Sequence, residues 1–293
     1  MRLHPEPQAA GYGSARGEPL LDAELRQGPA GEAGEQELWH LAGELMLPGG
    51  RVTYDQRLTR HSDGSYRLHA QGAGLRIDPG QARLTLETDR ESLARQLVTT
   101  YGIPLLLVGC PALTLHACAA IPPRGDGAVV VCGTSGTGKS SLTVGLMAAG
   151  WTAVSEDLCV VDLREDRPMV WPGPPWVRQD GDGPPGSTPR FQTAEKTAWD
   201  IAPWQIDRPV AIDRLVFMER AGGETVLWEP MDVGDAIARL ARLTSWLGDP
   251  DERANVTFAS CVKVAGAAPA ARLRLPVGED WVTLAETALR VPS

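Results

Sequence analysis

Apolar positions follow a strand period in the first part of this chain and a helix period later. Over residues 38–47, 51–59 and 66–69 they alternate loosely with polar ones, as in strands that turn one face toward a core. His61-Ser62-Asp63-Gly64-Ser65 separates the second run from the third, and Asp78-Pro79-Gly80 precedes another apolar run over 82–86. Asp-Gly and Pro-Gly steps between such runs are hairpin signals, so a small antiparallel sheet is predicted. Thr88 and Glu91 have capping-box spacing, with Leu93, Leu97 and Val98 at helical spacing after them. Gly102 and Pro104 close that segment, which predicts a helix at the end of the N-terminal region.

From there the apolar runs become continuous. Residues 105–108 and 113–119 read as buried strands, and Pro122-Pro123-Arg124-Gly125-Asp126-Gly127 as a tight turn into the β-branched run Val129-Val130-Val131. A glycine-rich turn follows, then Leu142, Leu146 and Met147 at helical spacing, with Gly150 as a stop. Strand character resumes at 151–154 and 158–161, around Ser155-Glu156-Asp157. Residues 171–190 are dense in Pro and Gly, which predicts a long mobile loop. A strand over 208–219, an amphipathic helix over 233–247, a strand over 271–275 and a helix over 281–289 complete the pattern. Three regions are expected: a disordered segment 1–35, a β-rich region 36–103 ending in a helix, and a larger α/β domain 104–293.

Composition narrows the classes. A chain of 293 residues with 43% hydrophobic content can bury a sizeable core, while a formal charge of −9 argues against broad nucleic-acid or anionic-membrane binding. The five cysteines, Cys110, Cys118, Cys132, Cys159 and Cys261, are odd in number and scattered, as expected of reduced thiols in a cytoplasmic protein. No apolar run is long enough to span a membrane, and the first 35 residues lack a signal-like apolar stretch.

The glycine-rich turn carries the chemistry. Gly133, Thr134, Ser135, Gly136, Thr137, Gly138, Lys139 and Ser140 fit G-x-x-x-x-G-K-[ST], with a strand before and a helix after, and Ser141 follows in the helix. Glycines let successive N–H groups converge on a polyphosphate, and the helix turns its positive end toward the same anion. Lys139 would reach the outer phosphates of ATP, and the Ser140 hydroxyl would ligate Mg²⁺. Phosphoryl transfer further needs a carboxylate near the metal and a group that orients the acceptor hydroxyl; Glu156 and Asp157 are the candidates. Asp162 competes, because it ends an apolar run as the metal-binding aspartate of common phosphate-loop ATPases does. His116 is either a core histidine or a group near the phosphates. Arg178, Arg190 and Lys196 are either solvated charges or contacts for the transferring phosphate. Trp171, Trp176, Trp199 and Trp204 read as a peptide platform or as a minor core.

Taken together, Leu115-His116-Ala117, the loop 133–140, Gly150 and Ser155-Glu156-Asp157 resemble the HPr kinase/phosphorylase superfamily, including its smaller relatives beside peptide natural-product genes such as those for lasso peptides. The resemblance covers residues 104–220. It implies an α/β (α+β) fold of the phosphoenolpyruvate-carboxykinase-like kind, with a mixed sheet, and an ATP- and Mg²⁺-dependent kinase acting on a serine or threonine of a peptide or small protein. It further implies Glu156 as general base where the family has aspartate, Asp157 with Ser140 near the metal, His116 near the phosphates, Lys196 after the mobile loop, and a homo-oligomer. A kinase of a small-molecule alcohol, such as a sugar or amino-acid derivative, and a non-catalytic nucleotide-binding regulator stand beside it as alternatives.

Overall fold

The computed structural model describes residues 22–25, 35–47, 50–88, 90–192, 196–220, 226–244, 250–276 and 281–290. By its contacts the chain forms two units: 1–110 with 191–196 and 247–249, and the remainder.

The first unit is a six-stranded sheet in the order β1-β6-β5-β4-β3-β2, from β1 (Asp22–Leu25), β2 (Glu35–Leu47), β3 (Gly50–His61), β4 (Tyr66–Ala70), β5 (Ala73–Asp78) and β6 (Arg83–Glu87). All neighbours are antiparallel except β1, which runs parallel to β6 from within the segment expected to be disordered. The Asp-Gly hairpin forms: the Ser65 N–H donates to Asp63 Oδ1 at 2.9 Å, and Gly64 takes φ +83°. Leu68, Leu75, Ile77, Leu84 and Leu86 alternate onto one face, where they pack with Leu93, Ala94 and Leu97 of α1 (Glu91–Leu97).

Two expectations fail here. Thr88 is not the N-cap that the capping-box spacing predicts: Arg90 is the N-cap of α1 without a side-chain bond, and Thr88 Oγ1 accepts from the Arg90 N–H at 3.1 Å. Residues 105–108 are not a strand. A wide turn over Val98–Gly102 carries the helix on into α2 (Ile103–Leu106), and Ile103, Pro104, Leu105 and Leu106 are all buried. A run buried on every side has no period to tell strand from helix, and Pro104 sits in the first turn, where a missing N–H costs nothing.

The second unit is built on a nine-stranded mixed sheet. Seven strands follow the order β10-β8-β9-β16-β12-β11-β7, comprising β7 (Ala112–Leu115), β8 (Ala117–Ile121), β9 (Ala128–Cys132), β10 (Thr152–Ser155), β11 (Cys159–Asp162), β12 (Met169–Trp171) and β16 (Val210–Arg220). β16 also pairs with β18 (Ala270–Leu275), which carries β17 (Leu227–Met231). β9 and β18 are both parallel to β16, whereas β8 and β12 are antiparallel to their neighbours. Alternation along β9 divides the core in two. Ala128, Val130 and Cys132 pack with Leu240 of α4 (Val233–Leu243) and Val264 of α5 (Pro250–Ala267). Val129 and Val131 face the other way, toward Leu142 and Leu146 of α3 (Lys139–Ala148) and Ala285 and Leu289 of α6 (Trp281–Arg290). No described helix is long and apolar enough to cross a membrane.

Short strands interrupt the expected loop over 171–190, and residues 172–175 and 180–188 lie outside them. Trp171 ends β12, and β13 (Trp176–Gln179) joins β15 (Thr197–Asp200) and β14 (Pro189–Gln192) in a three-stranded sheet of order β13-β15-β14. Its prolines precede β13, lie between the strands, or open β14, where no ladder N–H is needed. Val177 and Ile201, with Trp199 and Trp204, pack against Met147 and Ala153, so these two tryptophans belong to a small core.

Candidate functional site

The glycine-rich turn leaves the buried end of β9 and enters α3 at Lys139. Gly136 and Gly138 take φ +82° and +98°, values that side chains resist. Gly133 is required for another reason: a Cβ there would stand 2.7 Å from Thr137 Oγ1 and 3.2 Å from the Met218 carbonyl oxygen. Thr134, Ser135, Gly136 and Ser141 are exposed, while the backbone beneath them is tied by Thr137 Oγ1 donating to Thr134 O at 2.8 Å.

Lys139 is only 5% exposed, and its ammonium donates to Gly133 O at 2.7 Å and Thr134 O at 3.1 Å, with His116 Nε2 at 3.0 Å. An ammonium has protons and no lone pair, so Nε2 must accept and the His116 proton resides on Nδ1. That nitrogen lies 3.1 Å from Asp157 O and 3.4 Å from Asp157 Oδ1, both acceptors. Burial, and after it the Lys139 charge, holds His116 below its ordinary pKa and therefore neutral. Burial likewise lowers Lys139, against the raising effects of the Cys118 thiol and of Asp157 and Glu156. His116 was expected within a strand; it occupies the single-residue break between β7 and β8, where its N–H bonds Leu243 O at 2.9 Å. The break lets its ring leave the sheet's alternation and reach the lysine.

The two acids are handled differently. Ser140 Oγ donates to Glu156 Oε1 at 2.5 Å, and Glu156 is 4% exposed. Asp157 has φ +67°, rare for a residue with a side chain, and this turns its carboxylate away from its neighbour's partner. Asp157 Oδ2 pairs with Arg178 of β13. Burial would raise the Asp157 pKa, but Arg178 and His116 outweigh it and hold the carboxyl below its usual range. Ser140 thus meets Glu156, while Asp157, named with it for the metal, pairs with Arg178.

Other candidates fall elsewhere. Asp162, at the far end of β11, binds Arg164 at 2.5 Å and receives the Trp171 indole N–H at 3.2 Å. Arg190 Nε lies 3.6 Å from Asp200 Oδ2. Lys196 belongs to the first unit with Phe191–Lys196. All five cysteines are free; Cys118, Cys132, Cys159 and Cys261 are buried and Cys110 is exposed. Burial pushes the Cys118 thiol up to about 11 and Cys132 up to about 12. Arg220, which sequence reasoning passed over, closes β16 and donates from Nε to Thr137 O at 3.1 Å within the glycine-rich turn. No local signal marks it, since its contact depends on the register of β16 against β9.

Among the described residues no three His, Cys, Asp or Glu side chains gather as a metal cluster. No protein-family model matches this sequence, and no curated protein matches it. Among solved structures, the HPr(Ser) kinase/phosphatase from Coxiella burnetii is similar at 12% identity and a TM-score of 0.37, over 60% of this chain and 88% of that one.

Proposed function

We propose that this protein is an ATP- and Mg²⁺-dependent kinase that transfers the terminal phosphoryl group to a serine or threonine hydroxyl of a peptide or small protein, such as a natural-product precursor. The observation that carries the reading is the convergence of a phosphate-loop lysine, a hydroxyl–carboxylate pair and a second acid at the mouth of one strand–turn–helix. The left-handed glycines and the crowding at Gly133 fit a backbone shaped to approach a polyphosphate.

ATP supplies the activated phosphoryl group and Mg²⁺ neutralises its charge. Within the protein, Lys139, now bonded to Gly133 O and Thr134 O, would hold the phosphate oxygens, with the neutral His116 beside it. Ser140 and Glu156, already 2.5 Å apart, are the oxygen pair that would hold the cation; a magnesium site takes few protein ligands and fills the rest with phosphate and water. Asp157 is then the acceptor-facing carboxylate, oriented by Arg178 and His116. These roles reverse those that the resemblance implies for the two acids.

The reach of Arg178 from β13 to Asp157 favours a second reading, transfer to a small-molecule alcohol, because a side chain laid against that acid leaves less room for a peptide acceptor. Incubation with radiolabelled ATP, Mg²⁺, a panel of Ser- and Thr-containing peptides and a panel of sugars and amino-acid alcohols tests both. Phosphopeptide formation that disappears in Lys139→Ala is the expected result. Labelled small alcohols alone would select the second reading, and transfer that persists in Lys139→Ala would overturn the site assignment.

A further inference from the structure

We infer that Arg220 is a positioning residue for the phosphate loop, setting the direction in which the Gly138 N–H points; the inference rests on the proposed nucleotide site. The end of β16 backs the loop at two places. The Met218 carbonyl stands where a Cβ on Gly133 would come within 3.2 Å. Two residues on, Arg220 donates from Nε to Thr137 O at 3.1 Å and from a terminal nitrogen to Pro276 O at 3.0 Å. β16 runs parallel to β9 with Phe217 opposite Cys132, so both strands end at the same edge and Arg220 emerges beside the turn.

The consequence follows from peptide geometry. The unit linking Thr137 to Gly138 is planar and trans, so its C=O and N–H point in opposite directions. A donor that fixes the Thr137 carbonyl therefore fixes the Gly138 N–H on the other side. Gly138 precedes the first residue of α3 at φ +98°, a conformation open to a glycine and so to peptide-plane rotation. Without a restraint on Thr137 O, that plane can flip and present a carbonyl to the anion in place of an N–H. Arg220 supplies the restraint through a planar guanidinium that bridges two carbonyls, which a lysine's point charge cannot do in the same geometry.

The test pairs calorimetric ADP binding with the amide resonance of Gly138 in the ligand-free protein, for the native chain, Arg220→Ala and Arg220→Lys. The inference expects Arg220→Ala to weaken ADP binding roughly tenfold or more, with the Gly138 resonance displaced or broadened before any ligand is added, and Arg220→Lys to fall between. Weakened binding with an unchanged ligand-free resonance would overturn positioning in favour of direct phosphate contact, and unchanged binding in both variants would overturn it altogether. Absence of ADP binding in the native chain would remove the proposed nucleotide site instead, a separate failure.

Discussion

The Lys139 ammonium lies 3.0 Å from Nε2 of His116, and the other imidazole nitrogen lies 3.1 Å from the carbonyl of Asp157. A single histidine thus reads the state of the lysine of the glycine-rich turn on one side and of the acidic turn on the other. It does so only while neutral, because a proton on Nε2 would face another cation.

A pH dependence follows. The folded pKa of His116 lies below the ordinary value of 6.5, chiefly through burial and then through Lys139. Between the folded value and 6.5 the unfolded chain binds a proton that the folded chain does not, so stability rises with pH through that window. The contribution is complete above about pH 6.5 and is lost as the pH falls toward the folded pKa. Thermal midpoints from pH 5 to 8 should decline on the acid side, and His116→Gln, which still offers an oxygen to Lys139 and does not titrate, should flatten that limb. An identical acid limb in His116→Gln would show that another group carries it.

Glu156 and Asp157 should separate in their kinetic effects. If Glu156 serves the cation beside Ser140, Glu156→Gln weakens the Mg²⁺-dependent part of nucleotide binding and leaves metal-free ADP binding near its native value. Asp157→Asn should keep magnesium-nucleotide binding and lower the transfer rate on the order of 10²–10⁴-fold, as expected when a group that accepts the acceptor's proton is removed. Nucleotide titrations with and without EDTA, together with single-turnover transfer, distinguish the two. The opposite pattern would restore the assignment implied by the family resemblance.

What could be read from the sequence was local. The strand, turn and helix around 128–148 are neighbours in the chain, and the hairpin at Asp63-Gly64 needs only its own residues. The partnership of Ser140 was not legible, because the left-handed conformation of Asp157 decides which acid faces the hydroxyl and no residue type announces it. Arg220 lies 83 positions from the carbonyl it holds, a contact fixed by strand register alone. α5 escaped notice because it carries few large apolar residues: Cys261, Val264 and Ala265 are buried and Phe258 and Val262 exposed, which makes a weak helical stripe. At 171–190 the prolines lie in the connections or open β14, and their density hid the short strand β13 between them.

The glycines of the turn should rank by geometry. Gly136→Ala meets open space and bears only the left-handed strain at φ +82°. Gly138→Ala bears similar strain at φ +98°, of about 1–2 kcal/mol, and sits at the hinge of the peptide that Arg220 steadies. Gly133→Ala presses on the Met218 backbone and on Thr137 Oγ1, so overpacking of about 1–3 kcal/mol is expected. Denaturant midpoints of the ligand-free variants, compared with their ADP affinities, should show Gly133→Ala losing both stability and binding. Native affinity in Gly133→Ala would mean that the turn is not held against β16 as described.

Trp151 and Arg290 fasten α6 behind α3. Trp151 is 2% exposed and donates its indole N–H to Glu286 Oε1 at 2.9 Å. Glu286 also pairs with Arg290, whose guanidinium reaches Ala149 O at 2.9 Å. The two ties differ in worth. A buried indole bonded to a carboxylate contributes about 1.5–3 kcal/mol, whereas Arg290 is half-exposed and its ion pair contributes at most about 1 kcal/mol. Trp151→Phe should therefore lower the denaturation midpoint well below that of Arg290→Ala, because it removes the bond and part of the ring that fills the space under α3. Neither residue touches the turn, so ADP affinity measured below the midpoint should be native in both. Equal destabilisation by the two substitutions would place the fastening in the exposed ion pair, against the burial that sets Trp151 apart.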